Sequence, residues 1–132
     1  MGEITLKKKQ VLIVDDNMFD ISILRQMLTP TGVEMEGALN YTETYALLEK
    51  NTYDLILMDH IMPKKDGIQM LKEIRRMHLC DDTPVIIVTA NDMSASRHRY
   101  EDFGFAGYVE KPVDKEKLIR TMLDCLEQGN KN

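Results

Sequence analysis

Five short apolar runs recur at nearly even intervals along this chain of 132 residues, and no other feature limits its fold as much. Residues 11–14, 55–58 and 85–88 read as buried strands, and residues 106–109 form a weaker fourth. A fifth run, 33–39, mixes polar and apolar positions and suits an edge strand. The runs begin at 11, 33, 55, 85 and 106, so successive starts lie 22, 22, 30 and 21 residues apart. Each interval holds one helix and two short loops, the rhythm of consecutive βαβ units.

The segments between the runs carry helical periodicity. Met18, Ile21, Leu24 and Leu28 share one face, as do Tyr41, Tyr45 and Leu48, then Ile68, Leu71 and Ile74, and finally Leu118, Met122 and Cys125. Helix starts are signalled by Asn40 with Glu43, by Asp66 with Gln69, and by Asp114 after Pro112. Pro30 and Gly32 close the first helix, and residues 92–102 have the poorest apolar stripe. Strict alternation predicts an α/β fold: a five-stranded parallel sheet, doubly wound, with five helices covering both faces of a single domain.

With 43% hydrophobic and 30% charged residues, the chain can bury a sizeable core. It has 22 acidic and 17 basic residues, a net charge of −5, which disfavours direct contact with nucleic acid or an anionic membrane. Two cysteines, Cys80 and Cys125, are too few for a disulfide scaffold or a zinc site, and point to a reduced, cytoplasmic setting. The apolar runs are too short for membrane insertion. Lys7-Lys8-Lys9 precedes the first run, but Asp15-Asp16 ends that run well short of a signal-peptide core.

In sheets of this kind, ligands gather outside the carboxyl ends of the strands, where the strand order reverses. Asp15 and Asp16 follow the first run, Asp59 the third, Thr89 the fourth, and Glu110 with Lys111 and Pro112 the fifth. Taken singly, an Asp or Thr here is as readily a helix cap, and Lys111 a solvated loop residue. Together they are harder to explain as caps, because Asp59 is followed by a non-helical stretch, His60-Ile61-Met62-Pro63. Three clustered carboxylates repel one another unless a cation sits among them. An all-oxygen donor set implies a hard cation, and Mg²⁺ fits best. A carboxylate beside Mg²⁺, faced by an ammonium and a hydroxyl, is equipment for phosphoryl transfer.

These residues, with Met62-Pro63-Lys64-Lys65-Asp66-Gly67 and Thr89-Ala90, make the chain similar to the response-regulator receiver domains of two-component and phosphorelay signalling. The resemblance runs from about Lys9 to about Leu126. It implies the flavodoxin-like strand order 2-1-3-4-5, a lead-in at 1–9, a receiver domain at 10–127 and a polar tail at 128–132. It further implies that Asp59 is the phosphoacceptor, supplied by a histidine kinase or a histidine phosphotransfer protein. Asp16 would ligate Mg²⁺ directly, Asp15 through water, and Ile61 through its backbone carbonyl. Lys111, ahead of a cis peptide to Pro112, would pair with the phosphoryl oxygens. Thr89 and Tyr108 would be the switch pair that reshapes the surface of the fourth helix, fifth strand and fifth helix. Gly67 would be the loop glycine at the start of the third helix. Such a chain is no enzyme beyond its own phosphotransfer and dephosphorylation. The output partner is not implied.

Two other readings compete. A small-molecule Mg²⁺-dependent phosphatase or phosphotransferase also uses an Asp nucleophile, but favours a second Asp where Ile61 stands, and needs a cap domain for which 132 residues leave little room. A pseudo-receiver that only docks partners would not need the acceptor, acid pair, Thr and Lys together. His60 is expected to point away from the acceptor side chain, by strand alternation. His78 and His98 are placed on helices beside Arg and read as solvated. Ten methionines are many, and Met18, Met27, Met58, Met70 and Met122 are placed as core filling. Arg75-Arg76 and Arg97-His98-Arg99 read as basic helix faces.

Overall fold

In the computed structural model, which describes residues 5–90 and 97–130, each apolar run becomes a strand and each periodic segment a helix. The order is β1 (Gln10–Val14), α1 (Met18–Leu28), a 3-10 turn (Thr29–Thr31), β2 (Glu34–Ala38), α2 (Tyr41–Lys50), β3 (Leu55–Asp59), α3 (Gly67–Arg76), β4 (Val85–Thr89), α4 (Arg97–Asp102), β5 (Gly107–Glu110) and α5 (Lys115–Asn130). The strands form one parallel sheet in the order β2-β1-β3-β4-β5. The chain moves outward to β2, returns past β1 to β3, and so reverses direction between those two central strands.

Side-chain alternation divides the core in two. Val11 and Ile13 face α1 and α5, packing with Leu24, Leu28, Leu118 and Met122. Leu12 and Val14 face the other side, with Leu48, Met70, Leu71 and Ile74 of α2 and α3. β3 and β4 are buried along their whole length, because both faces of the central strands are covered.

The predicted caps form. Asn40 accepts from the Glu43 amide at 2.9 Å. Asp66 and Gln69 exchange side-chain-to-backbone bonds at 2.9 Å each, a full capping box. Gly32, at φ 83, closes the 3-10 turn.

Some expectations need correction. Met18 is 69% exposed: it fits the periodicity of α1, but the buried stripe of that helix begins only at Ile21 and continues through Leu24 and Leu28. Met27 is only half-buried, while Met58, Met70 and Met122 are fully buried. On α2, Tyr41 and Tyr45 lie half-exposed and Thr44 takes the buried place, its hydroxyl donating to the Asn40 carbonyl at 2.8 Å. Leu6 packs into the α1–α5 side of the core although it precedes the first run. His78 follows α3 at φ 56, outside any helix, and its ring lies 2.8 Å from Asp81. Residues 91–96 and the side chains of Arg97, His98 and Arg99 lie outside the described residues, so the expected basic face there is not placed.

Candidate functional site

Register brings the strand-end residues together. Val14 pairs with Met58, Asp59 with Val88, and Thr89 with Glu110, so the residues that follow β1 and end β3 emerge side by side. One oxygen from each of Asp15, Asp16 and Asp59 falls within 4.8 Å of the others. Asp15 and Asp59 are buried and Asp16 is exposed. Neither member of the pair caps α1. That task falls to Asn17, whose side chain accepts from the Phe19 and Asp20 amides. Asp15 instead accepts from the Asn17 amide at 2.9 Å.

Lys111 reaches this cluster from the far end of β5. Its peptide to Pro112 is cis, and its amide donates to the Thr89 carbonyl at 2.8 Å. The Nζ donates to Asp20 at 2.9 Å, Asp59 at 3.1 Å and Asp15 at 3.2 Å. Asp20 was not among the residues anticipated from sequence. It lies in the first turn of α1 between apolar positions, and only the fold reveals what it meets.

The electrostatics follow from this crowding. Burial raises the Asp59 carboxyl above the usual range despite the charge and hydrogen bond of Lys111, and Asp16 adds to the rise. Burial likewise lifts Asp15 from 3.8 to about 6; the Asn17 amide opposes this, Asp59 adds to it and Lys111 opposes it. Burial alone would weaken the Lys111 ammonium, but the bond it donates to Asp20 and the charges of Asp15 and Asp59 outweigh it and hold the proton firmly. A raised carboxyl pKa favours the folded protein at low pH, and that stability is lost as pH climbs through about 6. Asp15→Asn is therefore expected to raise the melting temperature at pH 7 without divalent cations. The gain should be about 1–3 kcal/mol, shrinking towards zero near pH 4. A variant no more stable than the parent at pH 7 would contradict this charge balance.

The loop after Asp59 is fastened on three sides. Met62 is buried, and Lys64 turns the chain at φ 70. Lys65 donates to Glu73 at 2.5 Å and its Nζ lies over the Tyr41 ring, 4.7 Å from the centroid. Tyr45 donates to the same Glu73 oxygen at 2.6 Å. Gly67 donates to the His60 carbonyl at 2.8 Å, and a Cβ there would stand 2.5 Å from the Asp59 carbonyl oxygen. Ile61 follows in the same loop with its side chain 61% exposed. His60 is half-buried, and its Nδ1 is buried with no hydrogen-bond partner among the described residues.

Thr89 is fully buried at the end of β4. Tyr108 is half-buried, its ring tilted 46° against Tyr100 of α4 at 5.1 Å between centroids. Cys80 and Cys125 are both unpaired, and burial pushes the Cys125 thiol up to about 11, well away from reactivity. No helix among the described residues is long and apolar enough to cross a membrane.

An acid pocket at the switch point of a doubly wound parallel sheet, closed by a lysine from the last strand, defines a class of signalling module. The chain belongs to that class: the model of the response regulator receiver domain matches residues 11–123. It is 36% identical over 121 residues to the transcriptional regulatory protein CpxR of Klebsiella pneumoniae, covering 92% of this chain and 50% of the relative. It is 32% identical over 130 residues to hybrid signal transduction histidine kinase K of Dictyostelium discoideum, covering 93% of this chain and 11% of that one. Thus it spans half or less of these relatives' length. Among solved structures, the receiver domain of a sensor histidine kinase of Pseudomonas aeruginosa PAO1 superposes with a TM-score of 0.80 at 27% identity, covering 91% of this chain and 98% of that domain. That domain carries a magnesium ion coordinated in its active site cleft. The chain is a receiver domain of the two-component type, with the five-stranded flavodoxin-like order expected of one.

Proposed function

We propose that this receiver accepts a phosphoryl group on Asp59 from the phosphohistidine of a histidine kinase or phosphotransfer protein. The observation that carries the reading is the meeting of Asp15, Asp16 and Asp59 within 4.8 Å, with the Lys111 ammonium 3.1 Å from the acceptor. Three carboxylates, with no nitrogen or sulfur ligand joining them among the described residues, fit a hard divalent cation, and the reading assigns Mg²⁺ to Asp15, Asp16, Asp59 and the Ile61 carbonyl. Bound there, Mg²⁺ supplies positive charge for the phosphoryl oxygens.

An Asp59 oxygen attacks phosphorus as the bond to the imidazole nitrogen breaks. An acyl phosphate forms on Asp59 and the imidazole leaves with the electron pair of the broken bond. Lys111 exchanges a carboxylate for a phosphoryl oxygen, and the Thr89 hydroxyl donates to another. The product brings a charge of roughly −2 and three strong acceptor oxygens into the pocket. Movement of Thr89 draws Tyr108 away from Tyr100, which is how a change beside Asp59 reaches α4, β5 and α5. A groove of about 460 Å³ beside that surface, lined by Tyr108, Glu110, Lys117 and Arg120 among others, is available to an output partner.

The protein is thus a switch whose only chemistry is gain and loss of its own phosphoryl group. The test is incubation with acetyl phosphate and Mg²⁺, followed by intact mass. One added phosphoryl group, labile to hydroxylamine and absent when Mg²⁺ is chelated, is expected. Sustained turnover of small phosphate esters without a labelled protein would instead favour the phosphatase reading.

A further inference from the structure

Lys111 carries three donor hydrogens, and three carboxylates take them. Two of those carboxylates, Asp15 and Asp59, also belong to the acid cluster; the third, Asp20, does not. The arrangement sets up a competition. A divalent cation among the cluster and an ammonium at 3.1 to 3.2 Å from two of the same residues repel each other in a partly buried pocket. The ammonium must then loosen its hold on Asp15 and Asp59. Asp20 offers the shortest of its three contacts, 2.9 Å, from outside the cluster.

Beside the pair runs an apolar groove of about 230 Å³, lined by Ile23, Leu24, Met27, Pro112 and Val113 as well as Asp20 and Lys111 themselves. That wall limits solvent on one flank and preserves the attraction between the two charges. The Asp20 side chain is 34% exposed and the Lys111 side chain 22%, so neither is sunk deeply enough to be locked.

Resting on the phosphoacceptor reading above, we infer that Asp20 is a positioning residue that parks the Lys111 ammonium when Mg²⁺ enters. It keeps Lys111 from competing for Asp15 and Asp59, yet holds it at the pocket mouth, ready for a phosphoryl oxygen. Asp20 thereby favours Mg²⁺ binding through Lys111 and without ligating the metal.

A double-mutant cycle read by calorimetric titration of Mg²⁺ into the unphosphorylated protein tests this. Asp20→Ala is expected to weaken Mg²⁺ binding about three- to tenfold, because Lys111 falls back onto the cluster. Lys111→Ala should tighten binding, and in that background Asp20→Ala should change it little. Asp20→Asn keeps the shape and an accepting oxygen without the charge, and should fall between the parent and Asp20→Ala. It carries the test alone if the alanine variant fails to fold. Equal weakening with and without Lys111 would overturn the inference, since Asp20 would then act only as a distant negative charge. So would unchanged binding in Asp20→Ala. A parent protein that holds no Mg²⁺ would overturn the metal reading as well, whereas Mg²⁺ binding without coupling overturns this inference alone.

Discussion

Asp59→Asn is expected to abolish Mg²⁺-dependent labelling by acetyl phosphate, and Asp59→Ala to do the same. An amide oxygen lacks the charge that makes the carboxylate a nucleophile, and no neighbour replaces it. Asp15 is nearby but accepts from the Asn17 amide and from Lys111, while Asp16 is exposed. Asn also removes one of three mutually repelling charges at a buried position, where Asp59 is only 8% exposed. The Asn variant should therefore melt no lower than the parent, which separates loss of chemistry from loss of fold. Undiminished labelling of either variant, with one phosphoryl group per chain, would place the acceptor elsewhere.

The second large effect is expected at Gly67. A Cβ at this position would stand 2.5 Å from the Asp59 carbonyl oxygen and 3.3 Å from the His60 Cα. Both neighbours are backbone, so no side-chain rotation relieves the overlap. Either α3 or the end of β3 must shift. Gly67→Ala should cost about 2–3 kcal/mol of stability, as overpacking against a fixed neighbour does. In a domain of this size that lowers the melting temperature by roughly 6–12 °C. The same shift moves Asp59, so on the proposed phosphoacceptor reading labelling should slow in protein that is still folded. A variant with parental melting behaviour would show that the loop yields more easily than this close approach indicates.

The fold was legible where one physical signal dominated. β1, β3 and β4 are covered on both faces, so their residues are apolar without alternation and stand out from the helices between them. The caps were legible because capping is local: Asn40 with Glu43 and Asp66 with Gln69 lie three residues apart and close on each other. Strand order was not legible from patterning, and came only from likeness to receivers. Met18 misled because helical periodicity marks a stripe without showing how far along the helix that stripe is covered. Thr44 escaped notice because a hydroxyl satisfied by its own helix can stand where an apolar residue is expected.

The site divides the same way. Asp15, Asp16, Asp59, Thr89 and Lys111 were visible because each follows or ends an apolar run. Asp20 and the Lys65–Glu73–Tyr45 anchor were not, since their meaning lies in contacts across elements. An acidic residue in a first helical turn has an ordinary explanation, favourable placement on the helix dipole, and nothing local distinguishes it from one that holds a lysine.

The contact between Lys111 and Asp15 spans 96 residues of sequence, and the one between Lys111 and Asp59 spans 52. The pocket therefore has no local precursor. As the chain leaves the ribosome, the acids are made before the lysine that faces them, and the pocket is complete only once β5 joins the sheet edge beside β4. On the phosphoacceptor reading proposed above, acceptance of a phosphoryl group is thereby tied to completed folding: a chain still short of its last strand has the Asp59 carboxylate but not the Lys111 ammonium beside it.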